Sequence, residues 1–274
     1  MLQKRLSTVC HLCDARATVY RCYGLVRSDV ELEHNPYHRS HKLMEMEPVT
    51  VVGPKLITFK EVRSNPKIRA YIEGANEVMK SMGYTEHGHR HVSVVTSITR
   101  YILEHQNLPP RDIELGQIAA YMHDIGNVIA RQDHPLHGAS MAFTILNEMG
   151  MDPAEIAPIL GAIGNHEEFT GGPVSIMSAA LIIADKSDVH RSRVQNPILE
   201  SFDIHDRVNY AVQRSRVEIK PETQTIELTL EIETTEATVM EYFEIFLTRM
   251  VMCRKSAEML GYRFALNVNG LYLE

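Results

Sequence analysis

Between residues 66 and 190, apolar side chains recur at three- and four-residue steps, which predicts a succession of helices. Ile68, Ile72, Ala75 and Met79 share one face of a helix over Pro66–Met82 that Gly83 stops. Val92, Val95, Ile98 and Ile102 predict a second helix, running to about Gln106 and ended by Pro109-Pro110. Leu115, Ile118, Ala119 and Met122 predict a third, from a cap near Asp112 to Gly126. His134-Pro135-Leu136-His137-Gly138-Ala139 opens a fourth, with Met141, Ile145 and Leu146 inward. Asp152-Pro153-Ala154-Glu155 combines a cap, a first-turn proline and a glutamate three residues on, so a fifth begins there; Pro158 implies a kink or a later start. From Val174 to about His190 the chain is almost wholly apolar until Asp185, the pattern of a buried helix.

Beyond Pro197 the period changes. Asp203 to Ala211 predicts a short helix. Val217 and Ile219, then Ile226, Leu228, Leu230 and Ile232, alternate with polar residues around a turn at Pro221-Glu222-Thr223, which predicts a β-hairpin with one wet face. Thr235 to Leu260 predicts a long helix with Val239, Phe243, Phe246, Leu247 and Met250 inward, and Phe264 to Leu273 a final strand or strand pair. The expected class is α+β, with a helical domain over 48–205 and a small β-β-α-β module over 206–274. That module carries no candidate ligand and is expected to shape a dimer or cover the site entrance. Val49 to Phe59 is an extended piece broken by Gly53-Pro54.

Residues 1–47 differ from the rest. Up to about residue 43 they hold Cys10, Cys13 and Cys22 with scattered His and Arg and poor apolar periodicity, so they offer little burial to offset the entropy of ordering. They are expected to be an extension outside the catalytic fold, with Met44 or Met46 as a natural start. The competing expectation is a small zinc knuckle on Cys10-x-x-Cys13 and Cys22, completed by His34 or His38.

Composition narrows the function classes. A net charge of −7 over 274 residues gives no general basic face, which disfavours nucleic acid as a partner. No apolar run approaches the roughly 18 residues of a transmembrane helix, and no secretory leader pattern opens the chain. Four Cys beside 14 Met and 14 His suit a reducing cytoplasm better than a disulfide scaffold.

The chemistry centres on Tyr121-Met122-His123-Asp124-Ile125-Gly126-Asn127. An imidazole and a carboxylate closing an apolar helix need partners if buried. A metal centre supplies them, since His offers a neutral nitrogen and Asp two oxygens that can bridge two ions. His91, His134, His166 and Asp185 are further candidates, each at or near a helix end or in a buried helix. In this order, His…His-Asp…His…His…Asp, the residues resemble the HD-domain superfamily of metal-dependent phosphohydrolases over about residues 80–195. The steps His123-Asp124-Ile125-Gly126, His134 to Gly138-Ala139, and Ala184-Asp185 stand where that family has them.

The resemblance implies an all-helical HD core. His91, His123, Asp124 and Asp185 match the mononuclear pattern; His134 and His166 are the additions of dinuclear members, with Asp124 bridging. His137 rivals His134, one turn away, and His87 is a weaker candidate that would share the His91 face if its helix reached back that far. Relative to the HD-GYP type, this chain has Asn127 for a Lys, Asn165-His166 for paired His, and only Gly171-Gly172-Pro173 as an echo of Gly-Tyr-Pro, so cyclic-dinucleotide cleavage is an alternative reading.

Two divalent ions of this kind, iron or manganese suiting the donors best, would activate a water for attack on phosphorus. Asp124 and His123 then belong to the catalytic centre, with Lys186, Arg191 and Arg193 as a phosphate clamp and Lys186 doubling as a catalytic cation. The expected substrate is a small phosphate monoester or diester, nucleotide-like. The other alternative is a di-iron oxygenase, because some superfamily members with the same six ligands use O2.

Overall fold

The computed structural model describes residues 53–273, which belong to one compact unit, 51–274. Cys10, Cys13, Cys22, His34, His38 and the starts at Met44 or Met46 lie outside the described residues. Nine α-helices and four strands follow in the described chain. The first helix, α1 (Phe59–Ser64), is too short to show a period. Its signal is a capping box, in which Thr58 Oγ1 accepts from the Glu61 amide at 3.3 Å and Glu61 Oε2 accepts from the Thr58 amide at 2.9 Å. It replaces the end of the extended piece expected up to Phe59.

Helix α2 (Pro66–Ser81) buries Ile68, Ile72, Ala75 and Met79 as their spacing requires. Helix α3 (His89–Glu104) begins only after Gly88, so His87 stands outside it. Helix α4 (Pro110–Met122) starts two residues ahead of Asp112, because Pro110 has no N–H to leave unsatisfied in a first turn. Its Leu115, Ile118, Ala119 and Met122 are all buried, and each of the three larger side chains contributes about 1.5–3 kcal/mol by leaving water. A 3-10 turn (Ile125–Val128) follows, then α5 (His134–Met149) and α6 (Pro153–Gly164). Pro158 lies inside α6 without delaying its start, since Asp152 caps the Ala154 amide at 2.8 Å.

Helix α7 (Ile176–Ser187) is the pivot of the molecule. Leu181 and Ala184 pack into the core shared by α2 to α6, whereas Ala179, Ala180 and Ile183 join the core formed with the sheet. Burial on both sides explains why its sequence is apolar all round. Helix α8 (Ile204–Ala211), capped by Asp203, leads into β1 (Val212–Lys220) and β2 (Thr225–Ile232). Helix α9 (Val239–Met259) crosses over to β3 (Arg263–Val268), and β4 (Leu271–Leu273) completes a sheet of order β1-β2-β3-β4, antiparallel except for β2 with β3.

Two expectations for this region are revised. Strand β2 is central and nearly all buried, so the hairpin lacks its wet face there; even Glu227 is buried, paired with Lys220 and hydrogen-bonded by Asn267. Helix α9 turns Tyr242, Phe246, Met250 and Cys253 inward, leaving Leu247 exposed and Phe243 half-buried. Aromatics at 242, 243 and 246 made two faces equally apolar in sequence, and the Tyr242–Phe246 edge contact, 5.2 Å between centroids, marks the one that packs. The boundary expected at 205/206 runs through α8, whose Val208 and Ala211 share a core with α3, α7 and the strands. Among the described residues no helix is long and apolar enough to cross a membrane.

Candidate metal centre

Four imidazoles and two aspartates from five segments converge on one buried point. His91 comes from the first turn of α3, His123 and Asp124 from the end of α4, His134 from the first residue of α5, His166 from just past α6, and Asp185 from α7. The approach of α5 to the end of α4 explains the two glycine motifs. A Cβ on Gly126 would lie 2.1 Å from the His134 carbonyl and 2.4 Å from the Gly138 amide nitrogen. Only bare backbone allows the helix bearing His134 to come that close.

Each imidazole is oriented by its Nδ1. His123 Nδ1–H donates to the Ala120 carbonyl at 2.8 Å, His134 to Arg131 at 3.0 Å and His166 to Ile163 at 2.6 Å. A carbonyl can only accept, so the neutral rings carry their proton on Nδ1 and present an Nε2 lone pair inward. His91 Nδ1 faces the Asp188 carboxylate at 2.7 Å, and Arg90 grips the same carboxylate in a fork.

Asp124 divides its two oxygens between two groups. Oδ2 lies 3.5 Å from His91 Nε2 and 3.3 Å from His123 Nε2, and Asp185 Oδ1 lies 3.3 and 3.7 Å from the same nitrogens. Oδ1 lies 3.4 Å from His134 Nε2 and 3.8 Å from His166 Nε2, with Glu167 Oε2 3.7 Å from His134. Asn127 donates to Oδ1 at 2.9 Å and fixes the carboxylate plane.

These residues fit a cation. His91 Nε2, His123 Nε2 and Asp124 Oδ2 are buried without a hydrogen-bond partner, a costly condition unless something else binds them. The Nε2 atoms of His134 and His166 face each other at 3.1 Å, lone pair to lone pair. Among the described residues three overlapping groups of donors, His91–His123–Asp185, His123–Asp124–His166 and His134–His166–Glu167, are compact enough to hold a metal ion.

Electrostatics point the same way. Burial opposes charge on His123, but Asp124 and Asp185 outweigh it and raise its pKa to about 10. For His91, burial and Arg193 are overcome by Asp124, Asp185 and Asp188, giving about 9. Burial would raise both aspartates, yet their cationic neighbours, His123 first for Asp124 and Lys186 first for Asp185, hold them well below the usual range. Burial depresses His134, and burial with His123 and His134 depresses His166 further, so neutral rings are ready as ligands. The site is built to hold positive charge, and a metal ion competes with protons for it.

A cavity of about 310 Å³ adjoins this cluster, lined among others by His87, Arg131, Arg193, His205 and Arg249. The His87 ring lies 5.5 Å from that of His91, and Arg131 Nη1 sits 3.2 and 3.3 Å from the two ring nitrogens of His134, over the imidazole.

The sequence comparisons agree with this geometry. The model of the HD domain family matches residues 88–210. Residues 88–210 are an HD domain. The chain is also 27% identical to the uncharacterized protein MJ1020 of Methanocaldococcus jannaschii over 190 residues, 61% of this chain and 72% of that one. HD domains are typically metal-dependent hydrolases, and the His/Asp clusters suit divalent ions.

All six sequence candidates, His91, His123, Asp124, His134, His166 and Asp185, lie within the HD domain and meet at this centre. His137 is half-buried one turn along α5 and belongs to none of the donor groups; His87 borders the cavity, its Nδ1 donating to the Thr85 carbonyl at 2.6 Å. The expected phosphate clamp is not assembled. Lys186 is buried among Asp185 at 2.9 Å, Glu168 at 2.7 Å and Glu167 at 3.6 Å, which raise its pKa against burial. Arg191 is exposed, donates to the Tyr210 carbonyl and stacks on that ring. Arg193 lines the cavity, but its three nitrogens are committed to the carbonyls of Glu86 and Asp188.

Sequence reasoning missed Glu167, Asp188, Arg131 and Arg249. Asp188, one turn past Asp185 at the end of an apolar helix, carried a usable signal. Glu167 adjoins a candidate histidine and could have been weighed. Arg249 lies on α9, outside the HD domain, and nothing in its local sequence marks it.

Proposed function

We propose that this protein is a metal-dependent phosphohydrolase that cleaves a small phosphate ester with water. The observation that carries this reading is the division of Asp124, one oxygen toward His91 and His123 and the other toward His134 and His166. On this reading His91, His123, Asp124 and Asp185 hold one divalent ion, and Asp124, His134, His166 and Glu167 a second. Ions held there would supply a water acidified toward neutrality and positive charge for phosphoryl oxygens. Iron and manganese are the ions that suit this donor set best.

The protein's own side chains prepare the site. Asp188 and three backbone carbonyls keep every Nε2 aimed inward, so no ring has to reorient during turnover. Asn127 keeps Asp124 between the two groups. Lys186 offsets the charge of Asp185, Glu167 and Glu168, which otherwise repel one another. The guanidinium groups of Arg131 and Arg249 on the adjoining cavity favour an anionic substrate. That lining favours phosphate esters over the neutral or weakly charged substrate an oxygenase could use with the same ligands.

Protein purified without added metal, assayed for its metal content, then for phosphate release from a panel of monoesters and diesters and for oxygen uptake, tests the proposal. Phosphate release that a chelator abolishes and a divalent ion restores is the expected result. Metal-dependent oxygen uptake with no release from any ester would overturn it.

A further inference from the structure

We infer that the cavity beside the metal centre binds a second anionic group of the substrate, and that Arg249, from the C-terminal module, is the residue that takes it. The inference rests on the phosphohydrolase reading for its substrate, though the cavity chemistry stands by itself. Arg131 lies at the end nearest the ligands, over His134 and 3.3 Å from Glu167. Arg193 contributes charge while its hydrogen-bonding capacity is spent on Glu86 and Asp188 carbonyls. Arg249 differs from both. Among the described residues it is held by one hydrogen bond, Nε to Glu168 at 3.1 Å, with its guanidinium stacked over Phe246 at 4.8 Å.

That arrangement fixes the plane of the group and leaves Nη1 and Nη2 with no acceptor among the described residues, on the wall of the cavity. A planar pair of uncommitted N–H donors matches two oxygens of a phosphate or carboxylate. Among the described residues that line the cavity the one carboxylate is Asp203, which caps α8 by accepting from the Asp206 amide at 2.8 Å. The cavity, at about 310 Å³, is at the small end of ligand sites, so it suits a small molecule that carries a second anionic group besides the reacting phosphoryl. The ion-pair chain Asp185–Lys186–Glu168–Arg249 ties this wall to the ligand cluster, so the C-terminal module completes the site.

Calorimetric titration of the full-length protein, as purified, with a nucleoside 5′-monophosphate and with the matching 3′,5′-bisphosphate tests this. The bisphosphate is expected to bind at least about tenfold more tightly, one charge-assisted bidentate contact being the difference. In Arg249→Met that preference should vanish with metal content unchanged. Arg249→Lys, which keeps an ion pair with Glu168 and so protects the fold, should lose most of it too, because an ammonium lacks the two-pronged geometry. Equal affinities in the native protein, or a preference that survives in both variants, would overturn the assignment. If the preference holds but neither ligand nor any other ester is hydrolysed, the hydrolase reading falls and the anion site stands.

Discussion

Adding one methyl group at Gly126 should unhook half of the metal centre. The new Cβ would lie 2.1 Å from the His134 carbonyl oxygen and 2.4 Å from the Gly138 nitrogen, where ordinary contact begins at 3.4 Å. Both obstacles are backbone, so no rotamer change relieves them, and α5 must slide away from the end of α4. Overpacking of this kind costs about 1–3 kcal/mol, which for a protein of this size lowers Tm by about 2–9 °C. The same slide carries His134 away from Asp124, leaving His91, His123 and Asp185 in place. Gly126→Ala should therefore lose roughly one metal ion per chain relative to the native protein, from the His134–His166 side. Gly138→Ala makes a graded control: its Cβ would meet the His123 carbonyl at 3.1 Å, a gap that small shifts absorb. Scanning calorimetry and elemental analysis on the three proteins give the answer. A Gly126→Ala protein with native Tm and native metal content would refute the argument that these glycines set the position of His134.

If two ions are bound as proposed, Asp124→Ala should abolish binding of both and any hydrolysis, whereas His134→Ala or His166→Ala should weaken mainly one; retention of native metal affinity in Asp124→Ala would show that its carboxylate does not bridge the two groups. Glu61 should titrate near pH 2, because the Thr58 amide, Lys55 and the Thr58 hydroxyl favour its charged form. Its folded pKa lies below the ordinary 4.5, so its contribution to stability is complete above about pH 4.5 and lost as pH falls toward 2. An NMR inflection at the ordinary value would mean that the capping box of α1 is not formed in solution. Cys253, buried in α9 with its thiol pushed by burial up to about 12, should resist alkylation at pH 8 in the native protein; mass spectrometry showing rapid modification of that peptide would place α9 in a more open packing.

Residue type and period were enough to find every helix except the short α1 and to nominate the six ligand candidates. Apolar spacing reports which face of a segment is buried, and His or Asp at the end of such a segment is conspicuous because it is costly there. The buried faces of α2 and α4 were legible in this way, as was the need for Asp185 to have a partner. What the sequence could not contain was the relation between segments remote along the chain. Asp188 orients His91 from 97 residues away, and Arg249 meets Glu168 across 81. The fate of a charged side chain depends on such neighbours. Lys186 and Arg191 looked alike as phosphate ligands, yet folding surrounds one with three carboxylates and turns the other to Tyr210 and solvent. In α9, where aromatics stood on both faces, only packing against α7 and the sheet selected the inward one. Local sequence therefore determined which groups could do chemistry here, and tertiary structure decided which of them meet, because distance and dielectric, not residue identity, set the strength of every interaction in the site.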